Sequence, residues 1–169
     1  MRKISCLVLA GVLVGGCSQE PEMAEPSALQ TRAELQNGYL VVKYPSLGGT
    51  LSRGMAINRQ GWVAGWSNQA DGTRRAVLWR GSSIANLGTL GGPSSSVPWP
   101  GLNDNGMVVG ISQTAEVDSL DEAWACELGG FIPGTSNLVC RGFVYEQGVM
   151  RELPTLGGTH GFEIGRAHV

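Results

Sequence analysis

The word Leu-Gly-Gly occurs three times, at Leu47-Gly48-Gly49, Leu90-Gly91-Gly92 and Leu156-Gly157-Gly158. No other feature constrains the fold as much. Repetition at a few tens of residues means stacked copies of one supersecondary unit, none of which hides its apolar face alone. The second and third words sit in longer matching phrases, Leu87-Gly88-Thr89-Leu90-Gly91-Gly92-Pro93 and Leu153-Pro154-Thr155-Leu156-Gly157-Gly158-Thr159. Between words the order of features is shared. Ile57-Asn58-Arg59-Gln60-Gly61 answers to Leu102-Asn103-Asp104-Asn105-Gly106. Trp62 to Ser67 answers to Met107 to Ser112, and Arg75 to Trp79 answers to Arg141 to Tyr145. The earlier features lie 45 residues apart and the last pair 66, so the second unit carries an insertion between Ser112 and Arg141.

Each unit reads as about four short strands. Asn58-x-x-Gly61 and Asn103-x-x-Gly106 are hairpin turns: Asn opens the turn and Gly supplies the positive φ that closes a type I turn with a bulge. The strand that follows alternates Trp62, Ala64 and Trp66 with Val63, Gly65 and Ser67. Both faces are largely apolar, as suits a strand between layers. Gly65 and Gly110 in mid-strand admit a neighbouring backbone. The next strand ends in an aromatic, Trp79 or Tyr145. Turns at Arg80-Gly81 and Gln147-Gly148 lead to a last strand ending at Leu87 or Leu153. The expectation is an all-β chain of tandem four-stranded repeats of about 45 residues, the size of β-propeller blades, present as an incomplete set. A β-solenoid or a two-sheet sandwich is the competing architecture. Fewer than three such units seldom suffice for stability.

The words Leu-Gly-Thr-Leu-Gly-Gly, Ile-Asn-x-x-Gly-x-Val-x-Gly and Ala-Val-Leu-Trp resemble the HAF family of extracellular repeats over roughly residues 44–162. The family takes its name from a His-Ala-Phe triplet at the head of the third strand. This chain departs from it there, with Arg75-Ala76-Val77 and Arg141-Gly142-Phe143. The resemblance implies export and tandem repetition and carries no activity with it.

Export is also the expectation from the start of the chain. Met1-Arg2-Lys3 is basic, and Ile4 to Val14 is an apolar run of 11 residues. A membrane-crossing helix needs roughly 20, whereas a secretory leader needs only such a run. Val14-Gly15-Gly16-Cys17 resembles the lipobox of bacterial lipoproteins. That resemblance implies cleavage before Cys17 and acylation of Cys17, with more than one chain and hence a stable anchor. Ser18, rather than an aspartate, then directs the protein to the outer membrane or cell surface. At the other end, Glu163-Ile164-Gly165-Arg166-Ala167-His168-Val169 looks like translated sequencing adapter and is set aside, so the gene product is expected to continue past Phe162. The expected organisation is a leader over 1–16 and a lipidated Cys17 with tether over 17–43. Repeats follow over 44–162: units 47–89 and 90–155, an insertion over 113–140, and a partial third unit over 156–162. In the polar tether, Ser27 is placed to cap a short helix running to Gln36, with Gly38 as its stop.

Between leader and adapter the chain holds 9 Lys and Arg against 13 Asp and Glu. That balance excludes the basic footprint of a nucleic-acid binder. Gly88 to Gly92 has no following Lys-Ser/Thr and opens no helix, so it is a turn and not a phosphate loop. Ser67 lacks the second glycine of a nucleophile elbow, and one native histidine, His160, is too few for a zinc site. The expectation is therefore no catalytic residue, no metal and no cofactor.

Two exported cysteines remain after Cys6 and Cys17, and an oxidising compartment favours a Cys126–Cys140 disulfide. It would staple the insertion, where binding specificity on a repeat scaffold often sits. Glu116, Asp118, Asp121 and Glu122 there read as a solvated acidic loop rather than a calcium site. Trp99 and Trp124 read as packing residues, with stacking on sugar rings as the functional alternative. The functional expectation is a membrane-anchored, non-catalytic binding or structural module, whose ligand is a surface carbohydrate or a protein. The alternative is an exported polysaccharide-acting enzyme of propeller type with its catalytic carboxylates on other blades.

Overall fold

The computed structural model describes residues 34–36, 39–122, 126, 131–132 and 136–162. The leader, Cys17, most of the tether, Trp124 and residues 163–169 lie outside the described residues.

The described elements are strands. β1 (Glu34–Gln36) and β2 (Tyr39–Val41) form an antiparallel pair. β3 (Gly48–Ile57), β4 (Val63–Gln69), β5 (Arg74–Arg80) and β6 (Ser83–Asn86) form a four-stranded antiparallel meander. β7 (Gly91–Ser96), β8 (Val108–Val117), β9 (Leu138–Glu146) and β10 (Val149–Glu152) form a second one, in the same order. The first two Leu-Gly-Gly words therefore open the first strand of a sheet, while Leu156-Gly157-Gly158 lies outside any strand.

The short helix expected from Ser27 to Gln36 is corrected at its C-terminal end, since Glu34–Gln36 is a strand paired with Tyr39–Val41. Gln36 pairs with Tyr39, and the two residues between them are Asn37-Gly38, the strongest short signal for a two-residue hairpin. β8 and β9 keep pairing beyond Ser112, with Gln113 opposite Cys140 and Val117 opposite Leu138.

The turns follow from their residues. Gly61 (φ 75°) donates to the Asn58 carbonyl, and Gly106 (φ 84°) to the Asn103 carbonyl. Asn58 Oδ1 accepts from the backbone N–H groups of Gln60 and Trp62, at 3.1 and 2.9 Å. Asn103 Oδ1 accepts from Asn105 and Met107, at 3.0 and 2.9 Å. Gln147 and Gly148 both have positive φ, which a two-residue turn between right-twisted strands requires.

The sheets stack face to face, and opposite faces meet. Side chains alternate along a strand, so Ala64, Ala76 and Leu78 lie on one face of the first sheet. Val108, Phe143 and Tyr145 lie on the non-equivalent face of the second, matching Val63, Val77 and Trp79 in the first. Ala64, Ala76, Leu78 and Leu87 pack with Val97, Val108 and Phe143 in one core, with Trp62, Leu90 and Leu102 at its margin. Within each sheet, a glycine lets the first two strands close up. A Cβ at Gly65 would stand 2.0 Å from the Arg53 carbonyl oxygen, and one at Gly110 would stand 2.4 Å from that of Ser96. The two sheets thus meet through faces that are not equivalent in the two units.

Candidate functional site

Two ends of the stack are distinct. At one end lie the Asn turns, which touch each other. Asn58 Nδ2 donates to the Asn103 carbonyl at 3.1 Å. The Arg59 N–H donates to Asp104 Oδ1 at 3.0 Å, and Arg59 Nε lies 3.3 Å from Asp104 Oδ2. Equivalent turns of consecutive units are thus fastened one on the next. The Arg59–Asp104 pair is exposed and contributes little on its own.

At the other end lie the words and the insertion. Leu47 donates its N–H to Ser67 Oγ at 2.9 Å, and Leu90 donates to Ser112 Oγ at 2.8 Å. Gly48 (φ 99°) and Gly91 (φ 111°) take the left-handed backbone that turns the chain into its strand. A Cβ at Gly49 or Gly92 would enter the backbone of the neighbouring strand. The next unit then reaches back to cap the previous sheet. Ser94 Oγ accepts from the Arg74 N–H at 3.2 Å, and Ser95 Oγ accepts from the Ala76 N–H at 2.9 Å.

The described residues Cys126, Phe131 and Ile132 of the insertion pack beside Ile111 and Cys140 of the second sheet. Cys126 and Cys140 form a disulfide, with Cα atoms 5.8 Å apart. Around it Ile111, Ile132 and both cysteines make a second small core, with Phe131 at its edge. Trp99 stands edge-on to Phe131 with ring centroids 5.1 Å apart, and 39% of it is exposed. It therefore packs on one side and meets solvent on the other. Its place was not visible from repeat spacing. The Leu-Gly-Gly words are 43 residues apart and the Asn turns 45, and the two additional residues fall in the segment Val97 to Gly101 that carries Trp99. Arg74 ties the first unit to the insertion. Its guanidinium lies 3.6 Å over the Trp66 ring, its Nη1 donates to the Phe131 carbonyl at 3.1 Å, and its Nε donates to Asn68 Oδ1 at 3.2 Å. Burial pulls the pKa of Arg74 below its ordinary value.

No family model, curated protein or solved structure matches the chain. The site is therefore read from its own atoms.

The acidic residues of the insertion do not form one solvated cluster, and that expectation is corrected for Asp118. Asp118 is buried, at 3% exposure. Its carboxylate accepts from the N–H groups of Leu120 and Glu122, which replaces the water it has lost. Glu116 instead faces Arg141, at 3.7 Å. Among the described residues no three His, Cys, Asp or Glu converge as a metal ion would need.

His160 is not the isolated residue that its position in the sequence suggests. Its Nδ1 accepts from the Cys140 N–H at 3.1 Å and lies 3.7 Å from Cys126 Sγ. Its Nε2 faces Asp118 Oδ2 at 3.5 Å. The neighbouring sulfur is held in the disulfide, so the group pins the insertion instead of presenting a nucleophile. The signal was in the sequence. His160 stands four residues after Leu156, as Ser94 stands four after Leu90, and Cys140 in the second unit occupies the place of Arg74 in the first. The two side chains cap equivalent N–H groups.

Proposed function

We propose that the chain is a cell-envelope-anchored repeat protein, exported, lipidated at Cys17, and acting as a non-catalytic binding or structural module. Its units are blades of a propeller-type stack, resembling the HAF repeats. The observation that carries this is the equivalence of the two meanders down to single bonds: Leu47 to Ser67 and Leu90 to Ser112, with Asn58 fastened on Asn103. Four-stranded antiparallel sheets joined last strand to first and stacked face to face are the construction principle of propeller blades. A scaffold of this type displays its specificity on insertions. The stapled loop beside the half-exposed Trp99 is the place for a ligand, a surface carbohydrate or a protein. An aromatic face with one side fixed by Phe131 can accept either.

The test is expression of the whole chain in a bacterium, followed by fractionation and mass spectrometry of the mature N-terminus. The result expected is a membrane-associated protein beginning at Cys17 and bearing acyl chains, with Cys17→Ser released from the membrane. A full-length, unacylated protein in the soluble fraction would refute the anchor.

A further inference from the structure

Three side chains from separate segments meet beside the disulfide. His160 Nδ1 lies 3.7 Å from Cys126 Sγ, and His160 Nε2 lies 3.5 Å from Asp118 Oδ2. All three are withdrawn from water: Cys126 is buried, the Asp118 carboxylate wholly so, and the His160 side chain is 6% exposed. Nε2 of His160 makes no hydrogen bond among the described residues. Sulfur, imidazole and carboxylate stand in the order in which a thiol is activated: nucleophile, base, and a group that orients the base. The Cys126–Cys140 bond holds this arrangement closed.

The two sulfurs are not equivalent. His160 meets Cys126 at the sulfur, but it meets Cys140 at the backbone N–H, 3.1 Å away. Thiol–disulfide exchange favours the leaving sulfur that is better stabilised as a thiolate, and an adjacent imidazolium stabilises one. Cys126 is therefore the sulfur to leave and Cys140 the sulfur to be attacked. Other charges nearby are engaged or exposed. Arg141 is on the opposite face of β9 from Cys140 and pairs with Glu116 and Glu152, while Asp121 and Glu122 are exposed. Both sulfurs are buried, so exchange waits on a local opening of the small core they share with Ile111 and Ile132.

We propose that the Cys126–Cys140 bond is an exchange site for dithiols, with His160 beside the departing Cys126 thiolate and Asp118 as the positioning residue behind it. One thiol of the dithiol loses its proton to His160 and attacks Cys140 Sγ. A mixed disulfide forms there, the Cys126–Cys140 bond breaks, and its electron pair stays on Cys126 Sγ next to the protonated imidazole. The second thiol then attacks the dithiol sulfur already bonded to Cys140 and displaces Cys140 Sγ. The dithiol leaves as a disulfide, oxidised by two electrons. Its two protons remain on the Cys126–His160 pair and on Cys140. This activity goes beyond the binding role proposed above, and neither depends on the other.

The test uses the full chain in two arms. In the first, the oxidised protein is treated with millimolar 2-mercaptoethanol, a monothiol that stops the reaction at its first step, then quenched with acid and mapped by mass spectrometry. The expected adduct is on Cys140, with a free thiol at Cys126. An adduct on Cys126, or a bond untouched after a day, would overturn the proposal. In the second arm the protein is reduced with a phosphine and alkylated briefly with iodoacetamide across a pH series. An ordinary thiol is only about 1% thiolate at pH 6.5. At that pH Cys126 should react at least tenfold faster than Cys140 of the same molecule. The ratio should fall at least fivefold in His160→Gln and at least twofold in Asp118→Asn. Both sulfurs belong to one small core, so a variant that merely loosens the core exposes both and leaves the ratio in place. Equal rates at the two cysteines of the parent, or a ratio that His160→Gln does not move, would overturn the proposal.

Discussion

Replacing Gly110 with alanine tests the packing of the second sheet at its tightest point. The added Cβ would stand 2.4 Å from the Ser96 carbonyl oxygen and 2.8 Å from two atoms of the Phe143 ring. Neither neighbour yields easily. Ser96 is in the β7–β8 ladder opposite Ile111, and Phe143 is wholly buried in the core between the sheets. Overpacking of a well-filled site typically costs about 1–3 kcal/mol, and two hard contacts place Gly110→Ala at about 3. Alanine also restricts the unfolded chain, which returns roughly 0.4–1 kcal/mol. The net loss is about 2–2.5 kcal/mol. With a urea dependence of about 1–3 kcal/mol per molar, the unfolding midpoint followed by Trp fluorescence should fall by about 0.7–2.5 M. A Gly110→Ala protein within about 0.2 M of its parent would refute the claim that this glycine exists to let the strands and the ring close.

Three further outcomes follow from the same contacts. Ser112→Ala removes the hydroxyl that accepts the Leu90 N–H and should cost about 1–3 kcal/mol in urea unfolding, with faster hydrogen exchange at Leu90 than at Leu47. Removing the Cys126–Cys140 bond, which spans 14 residues, by a double serine substitution should cost about 3 kcal/mol; hydrogen exchange should rise around Ile132 and Val139 and stay unchanged in β4 and β5. The Asp71 carboxylate accepts from the Thr73 hydroxyl and N–H, and these bonds hold its pKa below the ordinary 3.8. Its contribution is complete above that value and is lost as pH falls through the lowered one, so the Asp71 carboxyl resonance should titrate with a midpoint below 3.8 and move up in Thr73→Val, which removes the hydroxyl and keeps the N–H.

Much of this fold could be read from the chain because its signals are local. Asn-x-x-Gly and Gln147-Gly148 specify their turns through backbone geometry alone, and Gly65 and Gly110 stand in runs that admit no other role. The pairing of Glu34–Gln36 with Tyr39–Val41 is less legible, because a glycine in the sequence between them serves a helix stop as well as a hairpin turn. What spacing could not show was contact between units. The bond from Asn58 to Asn103 joins residues 45 apart, and Arg74 finds Phe131 57 residues away. Burial of Asp118 was hidden for a related reason: its nearest charged neighbours in the sequence are acids, while its histidine lies 42 residues further on. The two residues inserted near Trp99 were masked by the insertion between Ser112 and Arg141, which dominates any comparison of unit lengths.

The account stands on the fastening of one turn upon the next. A scalar coupling across the hydrogen bond from Asn58 Nδ2 to the carbonyl carbon of Asn103, read by NMR on the doubly labelled chain, reports that contact and nothing else. The coupling should be present together with those from Gly61 to Asn58 and from Gly106 to Asn103. Both turn couplings without the one between the units would mean that the turns form but the sheets do not stack as repeats.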